Sequence, residues 1–162
     1  MSVMDAVLEL RGAAYSDPDA VALVARVQKE YAERYGTPDE TPVDPAMFDP
    51  PDGFFVVAYL DGVPVGTGAW RRSPVVALGG TSGVEIKRMY VVPEHRGGGL
   101  ARRILAELET TAVAAGHDQV VLETGLKQPE AIALYESSGY VPIPGFGHYR
   151  DSDLNRCFGK RL

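Results

Sequence analysis

The chain has 162 residues, a mass of 17.5 kDa, a net charge of −6 and a pI near 5.0. That is the size of one domain spanning residues 1–162. Hydrophobic residues at 45% and charged residues at 23% are those of a globular rather than a disordered chain, and the acidic balance argues against nucleic acid as the main partner. No apolar run reaches the roughly 18 residues of a membrane-spanning helix, so no membrane partner is expected. Cys157, the one cysteine, can form no internal disulfide and no zinc site by itself, so no metal is expected. Met1 to Asp5 has no basic segment leading into an apolar stretch, so no signal peptide is expected and a reducing cytoplasm is the expected compartment.

In chain order, Val3 to Leu10 reads as a first strand. Asp17-Pro18 predicts a helix start, with Asp as N-cap and Pro at the first helical position, and Gly36 predicts its stop. Residues 37–53 hold five prolines and read as a loop with a helical turn near Ala46 to Phe48. Its acids, Asp39, Glu40, Asp44, Asp49 and Asp52, read either as a solvated loop or, with Asp151 and Asp153, as an attractor of cations. Phe54 to Leu60 and Val63 to Trp70 flank Asp61-Gly62, which predicts a hairpin. A third strand runs from Val84 to Val92, and alternation puts Glu85, Lys87, Met89 and Val91 on one side of it. An amphipathic helix follows from Leu100, closed by Gly116. Then come a strand at Gln119 to Thr124, a helix from Gln128-Pro129 through Ser138, and two last strands at Tyr140 to Ile143 and Asn155 to Arg161. This order predicts an α/β or α+β domain with helices packed on a mixed sheet.

The most informative segment is Val91-Val92-Pro93-Glu94-His95-Arg96-Gly97-Gly98-Gly99-Leu100-Ala101-Arg102-Arg103. A strand ends, three glycines follow, and a helix begins. Glycines let backbone N–H groups converge, and the helix N-terminus adds free donors and a positive dipole end, which together make an anion cradle. Arg102 and Arg103 oppose the dipole by roughly 0.3–1 kcal/mol each, an arrangement that a bound anion reverses and that otherwise leaves two solvated arginines. A dinucleotide loop would need glycine where Arg102 stands. A P-loop would need Ser or Thr after Gly159-Lys160, where Arg161 stands. The segment from Asp151 opens like a calcium loop but has Arg156 at the glycine position.

Arg96-x-x-Gly99-x-Ala101 resembles the Q/R-x-x-G-x-G/A signature of the GNAT superfamily of N-acetyltransferases. Val120 to Thr124 and Ala131 to Tyr140, with Tyr-x-x-x-Gly-Tyr at Tyr135 to Tyr140, are similar to the family's next strand and helix. The resemblance covers residues 84–141. It implies a mixed, mostly antiparallel twisted sheet of about six to seven strands with about four helices on both faces. It implies acetyl-CoA as co-substrate, with the pyrophosphate held by Arg96, Gly97, Gly98, Gly99, Leu100, Ala101 and Arg102. The pantetheine arm would lie along Met89, Tyr90 and Val91. Gln128 stands where many members carry Asn beside the pantetheine. The implied activity is direct acetyl transfer to a primary amine, on a small molecule, a peptide or a protein. A homodimer is one expectation for its assembly, and the rival expectation is an acyl-CoA-binding sensor or interaction module without catalysis.

An amine of pKa near 10.4 is neutral in only about one molecule in a thousand at pH 7.4, so the reaction asks for a base. Glu85, eleven positions before Arg96 as in some histone-type members, reads as that base or as a salt-bridge partner. Glu123 is a second carboxylate, facing the cleft or an arginine. Tyr135 is the general acid that the resemblance implies; from the bare sequence it reads as a core aromatic. Cys157 reads as a buried strand residue. Among the histidines only His148 is placed for an acceptor role, and Trp70, Tyr31, Tyr35, Phe146 and Tyr149 could supply an apolar wall.

Overall fold

The structure, a computed structural model, describes residues 6–162. Among these residues seven strands form one sheet in the order β1-β2-β3-β4-β5-β7-β6. They are β1 (Leu8–Gly12), β2 (Gly53–Leu60), β3 (Val63–Ser73), β4 (Gly83–Val91), β5 (Gln119–Gly125), β6 (Val141–Pro142) and β7 (Asn155–Arg161). All neighbours pair antiparallel except β4 and β5. The expected first strand begins later than read, at Leu8, and its residues 3–5 lie outside the described residues.

Among the described residues three α-helices cover the sheet: α1 (Pro18–Tyr35), α2 (Leu100–Ala114) and α3 (Pro129–Ser137). The expected count of about four is thus corrected to three. Between α1 and β2 the prolines at 42, 45, 50 and 51 leave only a 3-10 turn, Pro45–Phe48, because proline removes donors and restricts the residue before it. A second 3-10 turn, Pro93–His95, precedes the glycines. No helix among the described residues is long and apolar enough to cross a membrane.

The start of α1 follows its sequence signals. The Asp17 carboxylate accepts from the N–H groups of Asp19 and Ala20 at 3.0 and 3.1 Å, and Gly36 ends the helix at φ +87°. Its buried residues are Ala20, Leu23, Val24 and Val27. The Tyr59 hydroxyl of β2 donates to Asp19 at 2.6 Å. On the other face α2 packs against Gly66 and Gly68, where any Cβ would strike Ile104. Trp70 points the same way and donates to Thr111 at 2.9 Å, so it belongs to the α2 interface and not to an acceptor wall. The hairpin turn at Asp61-Gly62 has φ of +50° and +81°, the positive pair that a type I′ connection needs.

Two irregularities in β4 shape the molecule. β4 pairs with β5 only from Gly83 to Ile86, opposite Gln119 to Leu122, yet both strands continue. They part beyond that point and open a cleft. In the same stretch β4 carries one residue more than β3, since Ala69 pairs with Lys87 but Thr67 pairs with Tyr90. Arg88 takes up the slack at φ +59°, a left-handed conformation that costs an L-residue roughly 1–2 kcal/mol. The Thr67 hydroxyl donates to the Arg88 carbonyl at 2.7 Å and pins the bulge.

Candidate active site

The cleft where β4 and β5 part has a volume of about 500 Å³. Its mouth is the turn into α2. Gly97 and Gly99 both sit at φ +84°, and nothing lies within 4 Å of the Cβ position of Gly97, Gly98 or Gly99. The first bond at this end of α2 runs from the Arg103 N–H to the Gly99 carbonyl, so the N–H groups of Leu100, Ala101 and Arg102 have no intrahelical partner. Open space, converging donors and a positive dipole end fit a diphosphate. Gly97, Gly99, Leu100, Ala101 and Arg102 line the cleft, while Gly98 lies outside its lining. Arg102 donates to the hydroxyls of Ser137 and Ser138 at 2.9 and 3.1 Å, which sets its exposed guanidinium beside the end of α3. The Arg96 side chain turns back to the body of the protein. Its Nε donates to the Val91 carbonyl at 2.9 Å, and its guanidinium pairs with Glu30 at 2.9 Å over the Tyr90 ring. Arg96 therefore fastens the loop through its side chain.

Along the wall run Met89, Tyr90 and Val91, on the edge of β4 that β5 has left unpaired. The Met89 sulfur is turned toward α2, lying 3.0 Å from the Gly68 Cβ position. Gln128 precedes α3 with no side-chain cap and accepts a bond from the Tyr35 hydroxyl at 3.2 Å. Tyr31, Tyr35 and Tyr149 line the cleft; Phe146 lines neither this cleft nor the groove beside it.

Tyr135 is buried against the cleft, its ring 5.6 Å from that of Tyr140. Burial, and then the nearness of Tyr31, pushes its phenol above the ordinary value. Burial likewise pushes Tyr31 up to about 12. Tyr135 thus keeps its proton through the neutral and alkaline range, as a weaker acid than a free phenol.

The two carboxylates have different surroundings. Glu85 receives both Nε and Nη2 of Arg71, at 3.1 and 3.0 Å, and its side chain is 8% exposed. It faces a second groove beside the cleft, lined also by Arg72, Asp52 and His148. Glu123 lines both the cleft and this groove. Its carboxylate lies under Gly147, where a Cβ would stand 3.0 Å from both oxygens, and Asn155 Nδ2 donates to it at 3.3 Å. Burial, then the charge of Glu85, pushes Glu123 up to about 7. Cys157, opposite Glu123 in the β5–β7 register, is buried and its thiol is raised by that burial.

Sequence reasoning missed one cluster. Asp39, read as part of an acidic loop that is either solvated or an attractor of cations, is mostly enclosed, its side chain 12% exposed, between Lys87 and Arg88, which reach the same oxygen at 3.0 and 2.8 Å. Burial alone would raise its pKa, but the adjacent Lys87 charge holds it well below the carboxylate range. Gln28 grips the Asp39 backbone from α1, and the Glu40 N–H donates to the Tyr149 hydroxyl at 2.7 Å. The loop is thereby strapped across the cleft. Of the remaining acids, Asp44 caps the 3-10 turn and Asp52 sits 3.6 Å from Arg72, leaving the Glu40 and Asp49 side chains in solvent. No sequence signal marks this cluster, because strict alternation puts Lys87 and Arg88 on opposite faces and only the bulge brings them together.

The model of the acetyltransferase (GNAT) family matches residues 20–140. An IAA acetyltransferase of Azospirillum brasilense is 34% identical over 143 residues, covering 88% of this chain and 90% of that protein. Among solved structures, a Klebsiella pneumoniae protein assigned as an acyl-CoA N-acyltransferase superposes with a TM-score of 0.75 at 29% identity, covering 99% of both chains. The Salmonella typhimurium protein yncA, assigned as an acetyltransferase and solved with its cofactor acetyl-CoA, superposes at a TM-score of 0.68 and 21% identity, covering 96% of this chain and 94% of its own. At that identity the second likeness speaks for the fold alone.

Proposed function

This chain belongs to the acetyltransferase (GNAT) family and is an acyltransferase, and we propose that it moves an acetyl group from acetyl-CoA to a primary amine by direct transfer in a ternary complex. One observation carries the reading: a single cleft has an open anion cradle at its mouth and, further in, a carboxylate poised near pH 7 and a protonated phenol.

Acetyl-CoA supplies the activated thioester; the rest falls to the protein. The N–H groups of Leu100, Ala101 and Arg102, with the Arg102 guanidinium, hold the diphosphate. The unpaired edge of β4 at residues 87–91 offers backbone donors and acceptors to the pantetheine arm, less the Val91 carbonyl that Arg96 already occupies. Glu123 takes the proton of the incoming ammonium. A base of pKa about 7 is half ionised at neutral pH, where a general base works best. Burial holds Glu123 at that value, and Glu85, locked to Arg71, adds to it through like charge and is a positioning residue, while Tyr135 returns a proton to the departing thiolate. Much of the remaining acceleration comes from alignment of amine and thioester.

The test is thiol release from acetyl-CoA with a broad panel of amines, followed by Tyr135→Phe. Turnover is expected, with kcat falling about 10²-fold in the variant and acetyl-CoA affinity held. Acetyl-CoA bound without turnover of any amine would return the chain to a sensor role. An unchanged kcat, with chemistry rate-limiting, would return Tyr135 to the core.

A further inference from the structure

We propose that the acceptor carries a carboxylate beside its reactive amine, as an amino acid does, and that Lys87 and Arg88 bind that carboxylate. The inference rests on the acetyl-transfer reading and names its substrate class.

Lys87 and Arg88 line the cleft, and their side chains are 8% and 3% exposed. Buried cations are ordinarily matched by anions, because an uncompensated buried charge costs several kcal/mol. Here two cations converge on one carboxylate oxygen of Asp39, whose other oxygen accepts the Thr41 N–H at 3.0 Å. Glu85 cannot make up the difference, being engaged by Arg71. Glu123 does so only while ionised. Once it holds the proton of the amine, the cleft has one positive charge too many.

A second observation points to the same missing group. The Arg88 Nε is buried and has no hydrogen-bond partner among the described residues. A guanidinium has five donors in a rigid fork, and a carboxylate is the anion that fits it. The left-handed backbone at Arg88 is a cost borne at this site, and its effect is to bring the Arg88 side chain to the face that Lys87 occupies. The cleft thus presents a base at Glu123 and a cation pair at Lys87–Arg88, complementary to an ammonium and a carboxylate on one small molecule. The diphosphate of acetyl-CoA has its own cradle at the α2 N-terminus and does not need the pair.

The experiment compares kcat/KM for L-amino acids with those for their carboxamides and decarboxylated amines, such as L-phenylalanine, L-phenylalaninamide and phenethylamine, by mass spectrometry of the acetylated product. The amide's amine is less basic and more often neutral, so a preference for the acid runs against intrinsic reactivity. The acid is expected to be favoured about tenfold or more, because a site built to bind a charge rejects analogues that lack it. The ratio should fall to about one in Lys87→Met and persist in Lys87→Arg. Equal or better use of the uncharged amines in the wild type, or a ratio untouched by Lys87→Met, overturns the inference and spares acetyl transfer. A weakened acetyl-CoA Kd in Lys87→Met also overturns it, assigning the cations to the phosphates. Acetyl-CoA binding without acetylation of any compound removes the transfer reading and this one with it.

Discussion

The two ends of the cleft are built on different principles. The mouth is made of backbone: glycines at positive φ, a helix N-terminus and open space where side chains would stand. The inner end is made of side chains: Glu123 from β5, Tyr135 from α3, Lys87 and Arg88 from β4 and Asp39 from the loop after α1, most of them largely buried. A backbone site needs only a short contiguous segment. A side-chain site depends on bulges, strand parity and a strapped loop, so many positions far apart in sequence must agree before it exists.

The largest expected effect separates the two ends through Glu123. Glu123→Gln should lower kcat/KM about 10²-fold or more at neutral pH, with acetyl-CoA binding retained. The loss should shrink as pH approaches the pKa of the amine, because the neutral acceptor then arrives unaided. Stability supplies an independent readout. The folded pKa of Glu123, about 7, lies above its ordinary value of 4.5. The unfolded chain therefore releases this proton first, and stability falls as pH rises from about 4.5 to about 7. In Glu123→Gln that decline should be reduced. Equal pH profiles of activity in the variant and wild type would place the base elsewhere.

At the mouth, Gly99→Glu should remove the rise in Tm that acetyl-CoA gives the wild type. Ligand at a hundred times its Kd stabilises a folded protein by about 2.7 kcal/mol. A Cβ at Gly99 would meet nothing within 4 Å, so the damage comes from the φ of +84° and from a negative charge placed in the cradle. Gly99→Ala carries the strain without the charge and should weaken binding less. A full thermal shift in Gly99→Glu would overturn the cradle.

The contrast also explains what could be read from the chain. Asp17-Pro18, Gly36, Asp61-Gly62 and Gly97 to Gly99 each encode a local backbone conformation, and each stands where it was expected. The sheet followed from those boundaries. The inner site did not. Alternation from Glu85 sets Lys87 and Met89 on one face, but the extra residue at Arg88 resets the parity, so Arg88 joins Lys87 and the Met89 sulfur turns to α2. Asp39 looked solvated because its neighbours Pro38, Glu40 and Pro42 are loop residues, and its partners lie 48 and 49 positions away. Glu85 and Glu123 were both visible as carboxylates. Their unequal surroundings depend on Arg71, two strand registers and the loop at Gly147, none of which a spacing reveals.

The smallest expected effect tests how the inner carboxylates cooperate. Glu85 acts on Glu123 through space, second to burial, and it is pinned by Arg71. Glu85→Gln keeps the shape and removes the charge, so the pKa of Glu123 should move down from about 7. The acid limb of the kcat/KM profile should shift to lower pH by the same amount, with only a modest change at its plateau. The balance has a second side: Arg71 loses its partner, and the freed guanidinium adds its own pull in the same direction. Arg71→Gln made together with Glu85→Gln separates the two, because it removes both charges and should leave Glu123 shifted by less than the single variant does. If Glu85 itself takes the amine proton, the single variant will instead lose activity across the whole neutral range with no displacement of the limb, and the roles of the two carboxylates must be exchanged.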